Sequence, residues 1–185
     1  MTCDLFIGME ANTKRIKCFK GDLSYAHAVE SITAQAIKEF FTSSWQHTSQ
    51  SSAPQDVIIS GEGFEIKSDE KSVYTGNFFI ETKNLKSNKP SGIVSAMNNG
   101  NKYYVHCIPG KDMAIMFPTK ATVETLYEMY ADFKIQKRTV GTNSPGKSGN
   151  AEGYVLPVAM VKDNLSYMVI KIPDFKKKIN KYLGQ

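Results

Sequence analysis

No stretch of the 185 residues stays apolar over the roughly 18 positions that a membrane-spanning helix needs, although 41% of the chain is hydrophobic. Cysteine is scarce. Cys3, Cys18 and Cys107 are odd in number, and no two stand at metal-ligand spacing. That excludes a framework of disulfides, predicts reduced thiols and argues against a structural zinc site. Arginine is scarcer still, since of the 23 basic residues only Arg15 and Arg138 are not lysine. Lysine acts as a point charge suited to a phosphate backbone, whereas bidentate reading of base edges calls for arginine. With a net charge of +5, the composition fits a polyanion binder without strong sequence readout, and equally a solvated lysine surface. A basic leader is also missing: the opening residues carry Asp4 and Glu10, and a cytoplasmic location is expected.

What is present is enough chain for one domain with a sizeable core. Residues 24–45 place Ala28, Val29, Ile32, Ala36, Ile37, Phe40 and Phe41 at helical spacing behind a capping Ser24. Before this helix, the alternation of Leu5, Ile7, Ile16 and Cys18 predicts a short hairpin within residues 1–20. After it, residues 56–60 and 63–68 read as two strands joined at Gly61 and Glu62. A third strand is expected over 76–82, a short helix over 92–97, and strands over 102–108 and 113–117. Val123, Leu126, Tyr127 and Tyr130 predict a helix over 122–133. Residues 154–161 and 166–172 read as strands and 174–183 as a basic terminal helix. The expectation is an α/β fold with a mixed central sheet flanked by helices. Its core would span about 24–133, with 1–20 and 154–185 as additions.

The chemistry concentrates between Asp56 and Lys67. Asp56 opens one strand, and Glu65 and Lys67 lie two residues apart on the next, so they project from the same face. A tight hairpin brings Asp56 beside them. Two carboxylates, joined by a backbone carbonyl such as that of Ile66, are the hard oxygen ligands that Mg2+ or Mn2+ takes while keeping waters for a phosphate substrate. Lys67 then orients water or offsets developing charge, and the reaction class is phosphodiester hydrolysis.

At these residues the sequence resembles the PD-(D/E)XK nuclease superfamily. Asp56 takes the place of its first acid and Glu65-Ile66-Lys67 that of its triplet, with Pro54 two residues before the aspartate instead of adjacent to it. The run from Tyr74-Thr-Gly-Asn-Phe-Phe-Ile-Glu81 through Lys89-Pro-Ser-Gly-Ile93 to Lys102-Tyr-Tyr-Val-His106 is similar to a phage-associated branch of that superfamily. The resemblance covers about residues 56–130. It implies a restriction-endonuclease-like core and, for a phage-encoded protein, action on DNA in the host cytoplasm. It also points to a further acid on the preceding helix, Glu30 or Glu39, of which Glu30 lies nearer the apolar stripe.

Several other features compete for attention. Glu81-Thr82-Lys83 repeats the Glu-x-Lys spacing, yet no aspartate opens a strand one short hairpin earlier, because Asp69 falls in a turn. Glu81 is therefore expected to support the first triplet from a neighbouring strand. Lys83, Lys86, Lys89 and Ser91 form a basic edge, with Ser91 opening a short helix whose free amides would favour a phosphate. Residues 141–148 satisfy the G-x-x-x-x-G-K-S pattern of a nucleotide-binding loop. Their context is wrong, since residues 134–140 are half charged and Gly149-Asn-Ala-Glu-Gly153 is poor helix material. His27, His47 and His106 share no metal-binding spacing, and Tyr103, Tyr104, Tyr127 and Tyr130 read as core or rim aromatics rather than base-stacking platforms.

The sequence thus predicts a Mg2+- or Mn2+-dependent deoxyribonuclease, with nucleic acid, above all DNA, as partner. A homodimer that cuts both strands is compatible with this, although no segment marks a dimer surface. The rival is a non-catalytic module that binds nucleic acid or a host protein on the same scaffold. A nucleotide-dependent enzyme using Lys147 is the third reading.

Overall fold

The computed structural model describes the backbone of residues 9–41, 47–48, 56–59, 61–69, 72–140 and 150–185, and side chains from Ser24 onward outside 47–48. Helix α1 runs over Met9–Phe40. It buries Ala28, Val29, Thr33, Ala34 and Ile37 against a sheet, while Phe40 is half-exposed and meets Phe41 edge-on. The predicted hairpin in 1–20 is corrected here: residues 9–20 continue α1, and residues 1–8 lie outside the described residues. Alternation over a few positions does not outweigh a run that is free of proline and continuous with a strong helix.

The strands form two sheets. The first contains β1 (His47–Thr48), β2 (Val57–Ile59), β3 (Glu62–Ser68), β6 (Asn101–Ile108), β7 (Met113–Pro118) and β10 (Met168–Lys171), in the order β1-β2-β3-β6-β7-β10. It is mixed: β3 and β6 are parallel and every other pair is antiparallel. Between β3 and β6 the chain forms α2 (Ser72–Thr75), β4 (Asn77–Asn84), β5 (Lys89–Pro90) and α3 (Gly92–Asn98). Strands β5 and β4 pair with β9 (Ala151–Pro157) and β8 (Gln136–Val140) in a second, antiparallel sheet of order β5-β4-β9-β8. Helix α4 (Thr119–Ala131) links the two sheets, and α5 (Val158–Asn164) and α6 (Phe175–Tyr182) complete the chain. The fold is mixed α/β, with a mixed sheet flanked by helices.

Period-two alternation sorts the first sheet's side chains into two cores. On one face Phe64, Ile66, Val105, Cys107, Ala114 and Met116 pack against α1 and against Phe175 and Ile179 of α6. On the other, Tyr104, Ile115 and Phe117 meet α3, α4 and the inward residues Phe78, Ile80, Tyr154 and Leu156 of the second sheet. Thr33 is fully buried in the first core, where its hydroxyl lies 3.2 Å from Cys107 Sγ. Burial pushes that thiol up to about 12, which makes it an inert packing group.

One further expectation changes, and one unassigned segment proves to be a strand. Residues 158–161, predicted as strand, begin α5 after Pro157, because proline fixes φ and suits a helix start better than a strand interior. Residues 136–140 form the edge strand β8 despite their charge. A charged, exposed strand at a sheet edge resists pairing with another chain, so charge there is compatible with β structure.

Candidate active site

Glu65 and Lys67 stand on the same face of β3, the face turned toward the second sheet. In the parallel register Glu65 lies opposite Tyr104 and Lys67 opposite His106. Strand β2 runs back along β3 with Val57 opposite Phe64, which sets Asp56 beside Glu65. Asp56 is fixed by the backbone of the triplet itself: the Ile66 amide donates a 2.7 Å hydrogen bond to Asp56 Oδ2. Lys67 Nζ lies 2.6 Å from Glu65 Oε1 and 3.8 Å from Asp56 Oδ2. The three residues singled out by the sequence therefore converge.

Electrostatics couples them. Burial raises the Glu65 carboxyl above its ordinary range; Lys67 opposes that rise, and the charge of Asp56 adds to it. Burial alone would depress Lys67, but Asp56 and Glu65 together hold its ammonium above the ordinary lysine value. At neutral pH Lys67 is thus a fixed positive charge.

The two supporting acids approach from different elements. Glu30, on α1, is paired with His27 at 3.4 Å. Burial and the charge of Asp56 raise its carboxyl, while His27 and Lys67 pull it down. Glu39 instead accepts a hydrogen bond from Gln35 on an exposed face, so Glu30 is the helix acid that faces the cluster. Glu81 lies on β4. That strand does not pair with β3, as the sequence reading supposed, but faces it from the second sheet, close enough for the Glu81 charge to raise Glu65.

Glycine holds Glu81 from both sides. A Cβ on Gly92, which has φ +52°, would meet the Glu81 carbonyl group and lie 2.8 Å from Glu81 Cβ. A Cβ on Gly153 would meet the Ile80 carbonyl oxygen and lie 2.9 Å from Glu81 Cα. Only residues without a Cβ allow this approach, and the β4–β9 register is irregular at this point, between Glu81 and Lys83.

The basic edge is less convergent. Lys86 and Lys89 are exposed at the turn between β4 and β5 and on β5, and Lys83 is half-buried at the end of β4. The Ser91 amide donates to the Thr82 carbonyl at 3.0 Å and Gly92 is pressed against Glu81. The start of α3 is therefore packed against β4. Residues 141–149 lie outside the described residues. Their flanks, Val140 and Ala151, are cross-strand partners in an antiparallel pair, so a strand follows where a nucleotide-binding loop requires a helix.

One further pair lies beside the cluster. His106 is buried, with Nε2 2.7 Å from Asp69 Oδ2, and its ring sits edge-on to Phe78. No sequence signal marks it, because the contact depends on the parallel pairing of β3 with β6. A cavity of about 330 Å3 borders this pair, Lys67 and Glu81.

Among the described residues no three His, Cys, Asp or Glu side chains form a group able to hold a metal by themselves. The donors at the cluster are nonetheless of the right kind for a hard divalent ion, with two carboxylates already gathered around one cation, the Lys67 ammonium. Among the described residues no helix is long and apolar enough to cross a membrane. Compared with models of known protein families and with curated proteins, the sequence matches none.

Proposed function

We propose that the protein is a Mg2+- or Mn2+-dependent deoxyribonuclease of the PD-(D/E)XK type, built on a restriction-endonuclease-like core, phage-encoded and acting in the host cytoplasm. The observation that carries this reading is the convergence of Asp56, Glu65 and Lys67, with the Ile66 amide fixing Asp56. Asp56, Glu65 and the Ile66 carbonyl would hold the ion, and Glu30 and Glu81 add negative charge around it. When bound, such an ion supplies a Lewis-acid charge to the phosphate and makes a water more acidic. Lys67, held as an ammonium, offsets charge developing on the phosphate oxygens rather than taking a proton. Water oxygen bonds to phosphorus, one phosphorus–oxygen ester bond breaks, a carboxylate of the cluster receives the water's proton, and the leaving oxygen takes a proton from solvent to become a hydroxyl.

One observation favours a second reading. Lys67 already balances Glu65 and Asp56, as a structural ion pair would in a non-catalytic module that binds nucleic acid or a host protein. One experiment separates the two. Wild type, Asp56→Ala and Lys67→Ala are incubated with single-stranded, duplex and branched DNA in Mg2+, Mn2+ or a chelator. Cleavage by wild type alone, abolished by the chelator, is expected. Cleavage by none of the three, with binding retained, favours the non-catalytic module.

A further inference from the structure

The cavity beside the cluster has a composition that a phosphate site does not need. Its volume is about 330 Å3, near the lower end of ligand pockets, which run roughly 300–1,000 Å3. One side is charged, with Lys67 and Glu81 of the cluster and the paired Asp69 and His106. The other side comes from the second sheet, where Phe79, Val140 and Val155 line it together with Asn77. Phe79 and Val155 are directly opposed across the β4–β9 pair, so they share a face. That face is turned away from the core holding Phe78, Ile80, Tyr154 and Leu156. An aromatic ring and two branched aliphatic side chains, all half-buried, thus stand within one cavity of the lysine and the carboxylate.

We infer that this cavity is a subsite for one unpaired nucleobase next to the scissile phosphate, with the base lying on Phe79 and Val155. The inference rests on the nuclease reading and narrows its substrate class. A duplex hides the faces of its bases inside the stack and offers only their edges in the grooves. An apolar wall with an aromatic ring can be covered only by a base that is single-stranded or turned out of the helix. The Lys67 ammonium on the charged side takes the adjoining phosphate. The substrate is therefore a single strand, a frayed or branched end, or a bulge, and fully paired DNA is the poorer ligand.

The test begins with wild-type protein in a chelator, so that binding is read without cleavage. Fluorescence anisotropy compares a labelled single strand, its duplex, and a set of single strands each lacking one base. The inference expects the single strand to bind more tightly than the duplex. It also expects a narrow window of positions where base loss weakens binding by roughly 5- to 150-fold, the range that one base stacked on an aromatic side chain accounts for. Phe79→Ala should weaken the intact strand by a similar factor and make it insensitive to base loss in that window, a coupling that general loss of fold does not produce. Equal binding of duplex and single strand, uniform tolerance of base loss, or no binding of any strand overturns the inference. Cleavage in Mg2+ reports separately on the nuclease reading. Cutting of duplex and single strand at equal rates leaves that reading standing without the subsite. A base-sensitive window without cutting in any metal leaves the subsite without the nuclease.

Discussion

Glu65 sits where its own ionisation is disfavoured, since burial lifts its carboxyl and Asp56 adds to the lift against the pull of Lys67. The folded chain keeps that proton to higher pH than the unfolded chain does. This contribution to stability is full below the ordinary carboxylate range and is lost as pH rises through the raised value. Glu65→Gln, neutral throughout, is therefore expected to melt above wild type at pH 7 to 8 in a chelator. The gap should close near pH 4, and equal melting temperatures across the range would contradict the assignment. The same proton competes with a divalent ion, so the acid limb of activity should lie above about pH 4, the usual carboxylate value; a pH–rate profile in Mg2+ reads it. Lys67 behaves oppositely: its ammonium is held by two carboxylates, so Lys67→Met should melt below wild type at pH 7 as well as lose activity. These residues were the most legible part of the site, because strand alternation and one tight hairpin sufficed to bring them together. Asp69 and His106 were not, since nothing local in either segment signals a contact 37 positions apart.

At the scale of elements, β4 is tied down by two glycines rather than by its neighbours in the first sheet. Gly153→Ala would drive a methyl into the backbone of Ile80 and Glu81. Overpacking of this kind costs about 1–3 kcal/mol, which urea unfolding measures. Activity is expected to fall further than the folded fraction does, because Glu81 must move. Full activity at reduced stability would remove Glu81 from the site. Residues 141–148 lead to the opposite expectation. They join two antiparallel strands, so Lys147→Ala should leave cleavage unchanged and ATP should not bind wild type; calorimetry with ATP checks the second point. The sequence read these elements unevenly. Helix α1 from Ser24, strands β2 and β3 and strand β6 followed from periodicity. Strand β8 and the helical residues 9–20 did not, because an edge strand needs no apolar alternation and a helix can continue through polar residues once nucleated.

For the whole molecule, the two-sheet arrangement is what periodicity could not foresee. Periodicity alone puts the strand carrying Glu81 beside that carrying Glu65, in one central sheet. The chain instead makes a second sheet from β5, β4, β9 and β8, and the cavity is lined from both, by Lys67 and His106 of the first and by Phe79, Glu81 and Val155 of the second. Pairing partners depend on contacts distant in sequence, and residues 154–157, expected within an addition to the core, belong to the strand that β4 pairs with. A lysine-dominated surface of net charge +5 predicts DNA binding that weakens with salt. The log–log slope should be about −0.7 per contacted phosphate on single strands, and a titration without salt dependence would contradict it. The central claim is that Asp56, Glu65 and Lys67 form a metal-dependent hydrolytic centre. Its most direct test is the single-turnover cleavage rate of an end-labelled DNA strand in Mg2+ by wild type and by Asp56→Asn, each verified as folded. The account predicts product from wild type, none in a chelator, and a loss of at least about a hundredfold in Asp56→Asn; equal rates from the two proteins would contradict it.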